Sequence, residues 1–244
     1  MTTRLPDEYF DGMYASADDP WQLSSRWYEH RKYAITLAML PHRSYRHAFE
    51  PGCSIGVLTE KLCRRCAHVT AVDVAEAALR GADDRLRDAG CRSQVTLARS
   101  SLDVPWPPGP FDLVVLSEVA YYLERTTLIE VLARECPRLP SEAVIVAAHW
   151  RHAVDEYPLT GDEVHQIVAQ APGLSRTGGY RDHDVAIDVF ETGAAQSVAA
   201  REGLPGVCPS AGAGILPTSG QGGDRRAEFV DQERENVSGP SQTG

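Results

Sequence analysis

The 244-residue chain has no apolar run approaching the roughly 20 residues that a membrane-spanning helix requires. No membrane partner is expected. Its opening stretch, MTTRLPDEYFDGMYASADDPW, is polar and acidic where a secretory leader would be apolar, so the protein is predicted to stay in the cytoplasm. Basic residues are in deficit: 24 Lys and Arg face 34 Asp and Glu, giving a formal charge of -10 and a pI near 5.3. That balance excludes the basic footprint of a nucleic-acid binder. Six cysteines are scattered at Cys53, Cys63, Cys66, Cys91, Cys136 and Cys208, and only Cys63 and Cys66 have a metal-like or redox-like spacing. A zinc site needs a second ligand pair nearby, and a redox Cys-x-x-Cys follows the first strand of a thioredoxin-like unit. Neither context is present, so no metal is expected and the thiols read as plain helix-face groups in a reducing compartment.

What is there is an alternating pattern. Residues 7–40 read as helical, interrupted by a DDPW turn at Asp18 to Trp21, with Ser24 or Ser25 as the cap of the second helix and Pro41 as its stop. Short apolar runs then follow at 47–50, 68–73, 94–98, 111–117 and 143–149, with a hairpin-like pair at 174–180 and 185–191. Amphipathic stretches at 56–65, 75–89, 126–139 and 161–171 fill the gaps. Strands alternating with helices of this length predict an α/β fold, a doubly wound, Rossmann-like sheet whose ligands bind at the carboxyl ends of the strands. After Glu191 the composition shifts to Gly, Ala, Ser, Pro and charge without periodicity, which predicts a domain over 1–191 and a disordered tail over 192–244.

The stretch HAFEPGCSIGVLTEKL joins an acid at a strand end, Glu50, to a turn with Gly52 and Gly56 at the start of a helix. Glycine there tolerates positive φ and lets backbone approach a ligand closely. A second acid, Asp73, closes the next apolar run in HVTAVDV, where a carboxylate can accept from both ribose hydroxyls of an adenosine or, alternatively, cap the following helix. Ser54 occupies the middle position of what would be a Gly-x-Gly-x-x-Gly pyrophosphate loop. This fits S-adenosylmethionine, which has no phosphate and carries an ammonium suited to Glu50, better than a dinucleotide.

These residues resemble the class I S-adenosylmethionine-dependent methyltransferases and, within them, the nodulation protein S (NodS-like) family. The likeness runs from about Tyr9 to Glu191 and rests on DPW, WYEHRKY, FEPGCSIG, VTAVDV and FDLVVLSEVAYYL. It implies a seven-stranded sheet of order 3-2-1-4-5-7-6 with the last strand antiparallel. It also implies that Gly52, Ser54 and Gly56 shape the turn around the methionine arm, that Asp73 with Val74 holds the ribose, and that Ser117 with Glu118 lines the site below the sulfonium. Trp21 and Arg31 fall in an N-terminal cover that contacts the cofactor in such enzymes. Ser101 stands where an Asp commonly accepts from the adenine amino group, and Leu102 can serve the ring nitrogen through its backbone. LPSEAVIV replaces the usual Pro-Gly-Gly turn before the fifth strand.

Methyl transfer from a sulfonium is an in-line displacement, so positioning and control of the nucleophile's proton dominate. An amine must arrive neutral, and a carboxylate or imidazole can take its proton. Glu118 and His149 are the candidates, with Tyr122 as an orienting donor and Trp150 flanking the mouth; His165 and His183 read as solvated. The resemblance implies N-methylation of a small amine, with a deacetylated amino sugar or oligosaccharide as the family's acceptor and S-adenosylhomocysteine as coproduct. The residues also admit a small-molecule O-methyltransferase, or a methyltransferase-like fold that binds without catalysing.

Overall fold

The computed structural model describes residues 4–207. Two helices lead the chain, α1 (Asp7–Ser16) and α2 (Trp27–Met39). Strands and helices then alternate: β1 (Tyr45–Pro51), α3 (Val57–Leu62), β2 (Cys66–Asp73), α4 (Glu76–Asp88), β3 (Val95–Arg99), β4 (Leu113–Ser117), α5 (Arg125–Glu135), β5 (Val144–Trp150) and α6 (Gly161–Ala169). A hairpin of β6 (Leu174–Arg181) and β7 (Val185–Thr192) precedes the single turn α7 (Val198–Arg201). The strands form one seven-stranded sheet in the order β3-β2-β1-β4-β5-β7-β6. The first five pair in parallel, and β7 lies antiparallel between β5 and β6.

Side chains alternate across the sheet, and both faces are covered, which is why the central strands read as near-continuous apolar runs. Ala48, Val115, Val146 and Ala148 face one core, closed by α1 to α4 through Phe10, Tyr33, Leu58 and Leu86. Phe49, Val114, Leu116 and Ile145 face the other, closed by α5 and α6 through Leu128, Leu132 and Val164. Helix α4 shows the local logic: Ala78, Ala82 and Leu86 recur every four residues and are fully buried, while the opposite face is charged.

Several local expectations are corrected. Neither Ser24 nor Ser25 caps α2; its N-cap is Arg26, and the preceding turn is organised by Asp19, which accepts from the Leu23 and Ser24 backbone N–H groups at 2.8 and 3.0 Å. Cys66 opens β2 instead of lying on a helix face, and Cys63 is the C-cap of α3; both are buried free thiols. The segment expected to lack structure from residue 192 carries α7, where Arg201 pairs with the buried Glu191. The rest of that expected tail, 208–244, lies outside the described residues.

Phe49 is fully buried between Trp106 and Phe111, with ring centroids at 5.1 and 5.2 Å. Phe49→Ala is expected to lower the unfolding free energy by about 3 to 5 kcal/mol through lost burial and the cavity left behind, read by urea denaturation.

Candidate functional site

A cavity of about 660 Å³ opens where β1, β2 and β4 end, closed on its other side by α1, α2 and the loop between them. The turn after β1 forms its floor. Gly52 has φ +71°, and a Cβ there would lie 2.8 Å from Val119 Cγ2, so both conformation and space require glycine. Ser54, at φ +51°, holds a left-handed conformation without being glycine; its N–H donates to Asp73 Oδ2 at 2.9 Å and its hydroxyl bonds the Tyr14 hydroxyl of α1. Gly56 is the left-handed N-cap of α3 and sits behind the turn, off the cavity wall.

Of the two roles that the sequence left open for Asp73, the geometry shows the anchoring of the following helix, and the residue also faces the cavity. Its Oδ1 accepts from the Ala75 N–H at 2.9 Å, anchoring the start of α4, while the residue also lines the cavity beside Val74. Burial raises its pKa against the opposing donation from the Ala75 and Ser54 N–H groups. Each carboxylate oxygen has two acceptor sites, so both oxygens retain capacity for a ligand. Glu50 is different: it is buried, lines the cavity, and its Oε2 has no hydrogen-bond partner. Burial pushes its pKa up to about 8, with the Thr59 hydroxyl opposing and Asp73 adding to the shift.

On the neighbouring wall Ser101 and Leu102 line the cavity. The Ser101 hydroxyl donates to Asp103 Oδ1, which also accepts from Arg4 Nε at 3.1 Å, so the serine oxygen is left to accept. Trp21 lines the opposite side, its ring set edge-on to Tyr14.

Ser117 ends β4 on the cavity wall, and Glu118 follows at φ +54°. Lys32 Nζ contacts Glu118 Oε1 at 2.7 Å and Glu29 Oε2 at 2.8 Å. The Tyr121 hydroxyl and the Trp150 N–H donate to Glu118 Oε2 at 2.6 and 3.0 Å. Lys32 is 1% exposed and lies over the rings of Tyr28 and Tyr33 at 5.3 and 5.2 Å. Burial alone would lower its pKa; Glu118 and Glu29 outweigh that, and the net direction is upward, so it is a fixed cation. Neither Lys32 nor Glu29 was singled out from the sequence, although an acid three residues before a lysine on one helix face, flanked by tyrosines in WYEHRKY, was a usable signal.

Three candidates are corrected. His149 is fully buried and off the cavity: in β5, Val146 and Ala148 face the α1 to α4 side, so His149 points to α6, and its Nε2 accepts the Ala120 N–H at 3.3 Å. A base whose lone pair is occupied inside the core cannot reach a substrate. Its partner His165, expected to be solvated, is likewise buried, whereas His183 is exposed as expected. Arg31 turns away from the cavity to Asp182 at 2.8 Å and to the Tyr180 hydroxyl. Tyr122 lines the cavity, but the tyrosine that donates to Glu118 is Tyr121.

Residues 13–151 match the family model for nodulation protein S (NodS). Nodulation protein S of Rhizobium tropici is 33% identical over 109 residues, covering 44% of each chain, so this chain spans about half the length of that curated relative. A candidate methyltransferase structure from Pseudomonas syringae is 34% identical with a TM-score of 0.57, covering 68% of this chain and 99% of that one. N-methyltransferase NodS from Bradyrhizobium japonicum, solved with S-adenosyl-L-homocysteine, shares the fold at a TM-score of 0.68 and 23% identity, covering 76% of this chain and 98% of that one. With the family model spanning more than half of the sequence and the strand order that the resemblance implied, the chain belongs to the nodulation protein S family.

Proposed function

We propose that the protein is an S-adenosylmethionine-dependent N-methyltransferase acting in the cytoplasm on a small amine-bearing acceptor, with amino sugars and their oligosaccharides as the first class to test. The observation that carries this reading is the pair of strand-end acids lining one cavity. Glu50 presents a buried oxygen without a partner, an arrangement that costs about 1 to 3 kcal/mol unless a donor arrives. The ammonium of a methionine arm is such a donor. Asp73, at the end of the adjacent strand, has acceptor capacity left for two ribose hydroxyls, and the Gly52 turn brings backbone close beneath both. When bound, the cofactor supplies the methyl group on its sulfonium.

The chain's own task is then to place and deprotonate the acceptor. Glu118 Oε1 keeps one acceptor site beside its contact with Lys32, and Tyr28, Trp150 and Tyr157 give the acceptor side aromatic walls. Glu29, Glu118 and Asp184 against Lys32 and Arg26 leave this end of the cavity with an excess of negative charge, which favours a cationic amine over a neutral hydroxyl compound. The N-methyltransferase activity of the Bradyrhizobium japonicum relative supports the same choice of atom.

Calorimetric titration with S-adenosylmethionine and S-adenosylhomocysteine, with NAD as control, is expected to give micromolar binding of the sulfur compounds alone. A radiolabelled methyl screen over amino sugars then identifies the acceptor. Binding without transfer to any amine would leave a binding protein; absence of binding would end the reading. Asp73→Ala is expected to raise the cofactor Kd at least tenfold, about 1.4 kcal/mol.

The sign of the pH dependence follows from Glu50. Below about 8 its carboxyl is protonated in the ligand-free site, and a protonated acid has no charge to offer an ammonium. Affinity should therefore weaken by up to about tenfold per pH unit on acidification, and Glu50→Gln should remove that slope. The ligand's α-amino group loses its own proton near 8, so wild-type affinity should peak there. Glu118→Gln is expected to reduce turnover by about a hundredfold or more while leaving cofactor affinity within about threefold, read by steady-state kinetics beside calorimetry.

A further inference from the structure

Behind the cavity, on the α5 and α6 side of the sheet, a line of hydrogen bonds runs through the core to the sheet edge. The Ala120 N–H meets His149 Nε2 at 3.3 Å, His149 Nδ1 meets His165 Nε2 at 3.3 Å, and His165 Nδ1 meets Asp188 Oδ2 at 2.6 Å. Arg176 Nε closes the line on Asp188 Oδ1 at 2.7 Å. His149, His165 and Asp188 are each at most 4% exposed. The sequence makes room for it at Gly161, where a Cβ would lie 2.2 Å from the Trp150 carbonyl oxygen and 3.1 Å from His149 Cβ, so only glycine lets α6 and its His165 approach β5 this closely.

The donors and acceptors assign every proton. A backbone N–H can only donate, so His149 Nε2 is an acceptor and its proton sits on Nδ1. That proton is donated to His165 Nε2, which places the proton of His165 on Nδ1, facing the carboxylate. Three links hold three protons: one from Ala120 and one from each imidazole. A further proton on either ring must stand opposite another in some link and break it. The far end offers no escape, because Asp188 Oδ1 is occupied by the Arg176 guanidinium, with Arg181 at 3.6 Å from Oδ2.

We infer that His149, His165 and Asp188 are positioning residues that fix Ala120, and through it the turn carrying Glu118, Tyr121 and Tyr122, only while both imidazoles are neutral. Glu118 at φ +54° is held in a conformation that an L residue rarely adopts, so its turn needs support from outside. The charges around the pair are mixed. Lys32 of α2 lies on the cavity side of His149 and, after burial and His165, helps to hold its pKa well below the usual range. Tyr121 packs edge-on to the His149 ring. Asp162 of α6, Asp188 of β7, and Arg176 and Arg181 of β6 surround His165 at the outer end. His165 also lines a surface pocket of about 380 Å³ at the sheet edge, so the line runs from that pocket to Ala120.

What the relay serves rests on the methyltransferase reading, but its test does not. In the full-length protein at neutral pH, histidine side-chain 15N NMR is expected to show both His149 and His165 protonated on Nδ1 alone. On acidification, the Ala120 amide protection factor is expected to fall at least tenfold over the range in which the pair takes up a proton. His165→Gln keeps an acceptor towards His149 and a donor towards Asp188, so it should keep Ala120 protected at neutral pH; with His149 the one imidazole left in the line, whose burial disfavours the charged form, the acid step should move to lower pH. Should that variant fail to fold, the wild-type measurements decide alone. A proton on His149 Nε2 at neutral pH, or Ala120 protection unchanged through the titration, would overturn the inference. Neither readout uses cofactor or methyl transfer, so absence of cofactor binding in calorimetry would count against the activity and leave the relay standing.

Discussion

The site depends on one electrostatic constraint: three carboxylates, Glu50, Asp73 and Glu118, brought to one rim by the parallel alignment of β1, β2 and β4. Like charges in a desolvated rim repel, and ionising all three without partners would oppose folding. Each acid is handled differently. Asp73 is hydrogen-bonded by backbone N–H groups that partly offset its burial, Glu118 is paired with the Lys32 ammonium, and burial favours the protonated form of Glu50. The last solution is the reversible one, and it leaves the site one negative charge short until a cation enters.

That division explains the architecture of the N-terminal cover. Lys32 cannot be buried alone, since an unpaired ammonium in the core is far costlier than its pairing recovers. It is satisfied only because α2 brings Glu29 on the same helix face and the end of β4 brings Glu118. The buried cluster therefore couples the cover to the sheet at the cavity wall. Arg31, one residue further round the helix, makes the corresponding outer contact to Asp182 and Tyr180 on the β6–β7 hairpin. Adjacent basic residues thus hold α2 at two places, one inside the cavity wall and one outside it.

How far the sequence could be read follows from which signals are local. Strand positions, their order by resemblance, and the three rim acids were legible because parallel strands buried on both faces give apolar runs, and the residue after such a run falls at the rim. Strand ends moved by at most two residues, as for β1 at Tyr45 and β4 at Leu113. His149 was misread because proximity to a strand end says nothing about which face a side chain takes. Its parity with Ile145 and Ala147 sends it towards α6, while Trp150, one residue on, faces the cavity. Settling that parity needs to know which face the N-terminal helices cover, and this is a long-range fact. Lys32 and Arg31 failed for the same reason: on a helix with apolar, aromatic and charged residues mixed round its surface, no periodicity says which basic residue turns inwards.

On the methyltransferase reading proposed above, a cavity that holds a methyl donor also has to keep its own acids from becoming acceptors. A carboxylate is a competent nucleophile when bare, and hydrogen bonds to its oxygens withdraw the electron density that an attack would use. Glu118 accepts from Lys32, Tyr121 and the Trp150 N–H, and Asp73 accepts from two backbone N–H groups, so neither is bare. The same bonds that make Glu118 a weak nucleophile fix its direction, leaving Oε1 as the side with acceptor capacity. On that account the dense hydrogen bonding around Glu118 favours a group that receives a proton from a placed amine over one that attacks. It also explains why the turn bearing Glu118 is braced from behind through Ala120 as well as from the cavity side.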